Sequence, residues 1–114
     1  MTISEFSAQY YFHDSVLENL NFYDDKLKMR CTFCNFMQKN YQNNQFSNSE
    51  ILVIFYHASY KITGEIAVNN AVFLNQKTRE NKIDFFLESN NGEYGNLSVK
   101  AELVEVIRLR SYNL

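Results

Sequence analysis

The sequence predicts a mainly β protein of six or seven antiparallel strands, arranged as a sandwich or a partly closed barrel, with room for one short helix. Three observations carry this expectation. Apolar and polar residues alternate with a period of two in several segments. Phe and Tyr make up an aromatic share of 16% without any Trp, and such side chains suit pleated, half-buried surfaces. Outside the last quarter of the chain, no segment shows three turns of helical spacing. A length of 114 residues supplies one core and not two, so residues 1–114 are expected to form a single domain.

After a short leader, Val16–Tyr23 and residues 26–33 read as two strands separated by Asp24 and Asp25. If those acids form a two-residue turn, antiparallel pairing sets Phe22 opposite Leu27 and Leu20 opposite Met29 on one face. Tyr23, Asn21 and Asn19 then face Lys26, Lys28 and Arg30 on the other. The same register puts Glu18 on the apolar face opposite Cys31. Residues 38–49, QKNYQNNQFSNS, read as a surface loop from which Tyr41 and Phe46 can fold back on the body. Residues 51–57 form a strand buried on both faces. Tyr60, Ile62, Ile66 and Val68 alternate with Lys61, Thr63, Glu65 and Ala67 through Gly64, which suggests one strand with a bulge at the glycine.

Residues 71–74 are strand or loop, and 75–81, NQKTREN, a charged connection. Ile83, Phe85 and Leu87 mark a further strand, and SNNGEYGN contains the Asn and Gly needed for a tight return. Residues 97–109 are expected to be one long strand, either bulged or passing from an edge into the core. A helix from Ala101 is the rival, but Val99, Val104, Val106 and Ile107 favour extended chain.

Charge and termini exclude several functions. A net charge of -2 and a pI near 5.6 leave no basic footprint, so nucleic acid is not an expected partner. Five acids precede Lys26 with no Lys or Arg among them. They serve either cross-strand charge balance or an acidic docking patch. The opening MTISEFSAQYYF lacks the basic and apolar regions of a secretory signal. The longest apolar run, residues 51–56, is far below the roughly 20 residues of a membrane-spanning helix. A cytoplasmic protein without membrane association is therefore expected, and two cysteines fit a reducing compartment.

The chemically capable groups favour structure over catalysis. His13, Asp14 and Ser15 are consecutive, and consecutive side chains point apart, so they cannot converge as a triad. Asp14 or Ser15 is expected to bond backbone amides at the entry to the first strand, with His13 packed beside Phe12. Cys31 and Cys34 lie in or at the end of a strand, where α-carbons three residues apart sit about 10 Å from each other, beyond disulfide reach. Two ligands do not make a structural zinc site, and no cofactor is expected. Cys31 continues the buried row of Leu27 and Met29. His57 closes the most apolar strand and would build a metal or acid/base site only by meeting His13.

The phrase FHDSVLENLNFYDDKLKMR, with the closing strand LSVKAELVEV, resembles small bacterial domains of uncharacterised or toxin-immunity type. Those domains begin with an F-H-D-[SA]-x-[LI] phrase followed by a β-hairpin. The resemblance covers the first and last quarters of the chain; the Asn-rich segment and the CTFC spacing fall outside it. It implies a compact cytoplasmic β domain that binds and neutralises another protein. Hence the expected function is a non-enzymatic protein-binding module, an immunity-type inhibitor. Its candidate binding residues are Tyr10, Tyr11, His13, Asp14, Tyr23, Asp24 and Asp25. The alternatives are a barrel that binds an apolar ligand, and a small hydrolase or metal site around His13 and His57. A flat edge strand would also admit a homodimer.

Overall fold

In a computed structural model that describes residues 1–113, the chain folds into one eight-stranded antiparallel sheet and a short helix. The helix, α1 (Ile3–Gln9), lies in the short leader. Its start is a reciprocal cap: the Thr2 hydroxyl accepts from the Glu5 amide at 3.1 Å, and the Thr2 amide donates to the Glu5 carboxylate at 2.9 Å. A helix of two turns is marginal by itself. Ile3 and Phe6, three residues apart and both buried, anchor it to the core.

The strands are β1 (Val16–Tyr23), β2 (Lys26–Cys34), β3 (Asn48–Tyr56), β4 (Ser59–Thr63), β5 (Ala71–Arg79), β6 (Lys82–Glu88), β7 (Tyr94–Lys100) and β8 (Leu103–Tyr112). Their spatial order is β4-β7-β6-β5-β1-β2-β3-β8. Only two residue pairs join β5 to β1, Val16 with Val72 and Leu17 with Ala71. The sheet folds at this seam into two halves and does not close. The α1 helix touches β5 and β6 in one half and β8 in the other. Between the halves lies one core, in which Phe6, Phe12, Phe33, Phe55, Phe73 and Phe85 are fully or almost fully buried. Their rings occupy the interior that an apolar-ligand barrel would leave open.

The first hairpin follows the expected pairing from Tyr23–Lys26 up to Asn19–Arg30. Asp24 and Asp25 both have positive φ, 53° and 64°, the geometry of a two-residue turn that follows the strand twist. Beyond Asn19 the register slips, and Leu17, not Glu18, faces Cys31. Glu18 is a bulge, one unpaired residue inserted into β1, and one of its carboxylate oxygens is enclosed without a hydrogen-bond partner among the described residues.

Three other expectations change. NQKTREN is not a loose connection: β5 runs through Arg79 and returns to β6 at a tight turn containing Glu80, whose φ is 53°. The strand at 60–68 ends at Thr63. Gly64 breaks it with φ 97°, and a β-carbon there would lie 2.9 Å from the Tyr94 carbonyl oxygen, so Ile66 and Val68 reach the core from a connection. The expected long strand at 97–109 is two strands, extended chain in both parts. Ala101 and Glu102 carry it from β7 in one half to β8 in the other. At this crossing the Ala101 amide bonds the Asn81 carbonyl and the Glu102 amide bonds the Tyr56 carbonyl, each at 3.1 Å.

Candidate functional site

The two-residue turn, the crossing at residues 57–58 and the crossing at 101–102 gather at one end of the molecule. The leader and the Asn-rich segment gather at the other. The leader is held there by two glutamines. Gln38 pairs with the Tyr11 backbone as a strand would, accepting from its amide at 2.9 Å and donating to its carbonyl at 2.6 Å. Gln76 accepts from the Phe12 amide and donates to the Tyr10 carbonyl. These bonds supply the backbone partners that an irregular segment loses on burial.

The Asn-rich segment opens with a 3₁₀ turn at Asn35–Met37. Asn35 braces it, donating from its side chain to the Phe46 carbonyl at 3.0 Å and to the Ser49 hydroxyl at 2.9 Å. The Tyr41 amide donates to the Gln38 carbonyl and its hydroxyl to the Gln45 carbonyl. Between this segment, the end of α1 and the edge strand β8 lies an open cleft of about 390 Å³. Its floor is Phe33 against Tyr10, with ring centres 5.6 Å apart. Tyr41 and Phe46 form the aromatic rim, and Gln9, Gln38, Asn40 and Gln45 contribute amides. The lining holds no carboxylate and one cation, Arg108.

Arg108 differs from its neighbours. Arg30 and Arg110 both bond Glu50, at 3.2 Å and 3.0 Å, and these contacts, with that of Arg110 foremost, hold the Glu50 carboxyl below its usual range. Arg108 has no ion-pair or hydrogen-bond partner among the described residues.

The candidate residues read from sequence do not form one surface. Tyr10 lines the cleft, and Tyr11, His13 and Asp14 lie just outside it. The His13 ring stacks on Tyr11, not on Phe12, with centres 5.8 Å apart. Its Nδ1 lies 2.6 Å from the Leu74 carbonyl, and its Nε2 lies 3.5 Å from Asp14. Ser15 points inward, where its hydroxyl accepts from the Cys34 amide at 2.9 Å. Tyr23, Asp24 and Asp25 sit at the opposite end, separated by the length of β1, about 25 Å of extended chain. Exposed Tyr23 stands beside the turn, and Asp25 approaches His57 at 4.0 Å.

His57 therefore belongs to the turn end and His13 to the cleft end, so the two do not meet. Among the described residues no three His, Cys, Asp or Glu side chains are grouped to hold a metal. Cys31 and Cys34 are both free thiols, and Cys31 lies in the buried row with Leu27 and Met29. Burial, and secondarily the charge of Glu18, pushes its thiol pKa well up.

Sequence reading missed Arg108, Gln38 and Asn35. Arg108 had a signal: it continues the parity of Val104 and Val106, the core-facing residues of β8, and an arginine on that parity marks where the core opens. The two amide residues had none, because their partners are backbone groups far along the chain. Comparison with protein-family models, curated proteins and solved structures returns no match. No described helix is long and apolar enough to cross a membrane.

Proposed function

We propose that the chain is a non-enzymatic protein-binding module of the immunity-inhibitor kind, acting on another protein in the bacterial cytoplasm through its cleft end. The observation that carries this reading is the pre-ordered aromatic and amide rim. Phe46 of the rim is 53% exposed and Phe36, which packs on Tyr41 just outside the cleft, 64%, yet the segment bearing them is fixed by Asn35 and Gln38. Rigid exposed aromatics among hydrogen-bonding amides are the composition of energetic hot spots, since little side-chain entropy is lost on contact. Tyr10, Tyr11 and Tyr41 extend the same surface. Ser15 and His13, both committed to backbone partners, support a binding role over a hydrolytic one.

Asp24 and Asp25, at the far end, act at longer range by steering a basic partner. The test is calorimetric titration against the protein encoded beside this chain's own coding sequence. Saturable binding is expected, weakened at least about tenfold by Phe36→Ala with Phe46→Ala, the loss of about 1.4 kcal/mol. Asp24→Asn with Asp25→Asn should slow association and reduce its salt dependence. No saturable binding, or binding indifferent to the aromatic pair, overturns the proposal.

A further inference from the structure

Strand β8 ends the sheet, so one of its sides has no neighbouring strand. The first residues of the chain cover its beginning: the Met1 amino group donates to the Val104 carbonyl at 3.0 Å, and the Val104 amide donates to the Met1 carbonyl at 2.7 Å. Both polar groups of Val104 thus face away from β3. The two-residue period of an antiparallel ladder turns those of Val106 and Arg108 the same way, with no cover among the described residues. Beyond them the register slips at Leu109 and ends the regular edge. The Arg108 side chain lies over the cleft, whose lining has no acid. An open backbone edge and an unpaired guanidinium therefore meet at one residue.

Resting on the protein-binding reading above, we infer that the partner contributes an extended acidic segment. It adds as a strand along Val106 and Arg108 and sets an Asp or Glu carboxylate on the Arg108 guanidinium. Backbone hydrogen bonds give such an added strand its affinity, and alternate side chains give it specificity. The specificity here is charge. Arg30 and Arg110 are already engaged by Glu50, whereas Arg108 pairs with Ile51 across β3 and so lies on the cleft face without an acid. A planar guanidinium takes a carboxylate with two parallel bonds.

A second copy of the chain fits this edge poorly. In a two-fold β8 pairing centred on Val106, Arg108 would face Val104, whose backbone Met1 occupies. Centred on Ile107, it would face Val106. The residues of β8 on that face, Val104, Val106 and Arg108, include no carboxylate, because Glu105 points to the other side.

The test is selection from a positional-scanning library of end-capped hexapeptides on the full chain, followed by amide-resolved NMR titration of the selected sequence. An acidic residue at one fixed position is expected, with shift changes at the Val106 and Arg108 amides. Replacing that residue by its amide should weaken binding about fivefold, and Arg108→Gln should abolish the distinction. Selection without an acidic position, no selection at all, or shifts confined to residues 41–46 overturns the inference. So does concentration-dependent self-association of Arg108→Gln without any acidic preference, which would assign Arg108 to guarding the edge. If the partner protein still binds while Arg108→Gln changes nothing, the acidic-strand inference fails and the protein-binding reading stands. If neither binds, both fail.

Discussion

Ser15 is fully buried at the entry to β1, and its hydroxyl accepts from the Cys34 amide where β2 has outrun its partner strand. Removing the hydroxyl leaves a part-buried amide without that partner, and such a group costs the desolvation it cannot recover. Ser15→Ala is expected to lower stability by about 1–3 kcal/mol, read as a shift of the denaturant midpoint at unchanged slope. Its neighbour His13 is part exposed and stacked on Tyr11, and carries no comparable burial. At Glu50, Arg110 first and Arg30 second depress the carboxyl below its ordinary value of 4.5. A carboxyl depressed by folding adds stability above its unfolded pKa and loses it as pH falls through the folded value. The stability gap between the native chain and Glu50→Gln should therefore be full at neutral pH and close progressively in acid below about 4.5. A gap independent of pH would exclude the two arginines as its source.

At the scale of elements, the seven residues of α1 hold their form by a cap and two apolar anchors. The T-x-x-E pattern of Thr2 to Glu5 was legible as a helix start. Gly64 shows why the strand at 59–68 could not continue. Its backbone is left-handed and lies against the Tyr94 carbonyl, so Gly64→Ala is expected to cost more than about 1 kcal/mol. Thermal melting of that variant, beside Gly92→Ala, checks the contact. Gly92 also has positive φ, but a β-carbon there meets open space, so the difference between the two isolates the clash. The first hairpin was legible almost to the residue because its register is set locally, by the turn and by alternation. The slip at Glu18 was not. It depends on what lies opposite in three dimensions, which the turn and the alternation do not specify.

At the scale of the molecule, two sheet halves share a seam of two residue pairs and depend on common packing for cohesion. Phe6 and Phe12 lie between them. Phe6 meets Phe55 of one half, and Phe12 meets Phe33 of one half and Phe73 and Phe85 of the other. Phe12→Ala should cost about 3–5 kcal/mol. The loss is expected in both halves at once, with far-ultraviolet circular dichroism and tyrosine fluorescence following one transition. Separate transitions would show that the halves fold independently. The cleft belongs to this scale too, since its lining comes from α1, β2, the Asn-rich segment and β8.

The chain's own text determined the β class, the hairpin register from Asn19 to Arg30 and the burial of Cys31, because alternation and turn chemistry act between near neighbours. Tertiary structure alone decided that the last strand breaks at Ala101 to change halves, that the register slips at Glu18, and that the predicted binding residues fall at opposite ends. It also decided that Arg108 stands unpaired at an open edge. Each of these outcomes is fixed by which distant surfaces compete for the same buried space, and no local pattern encodes that competition.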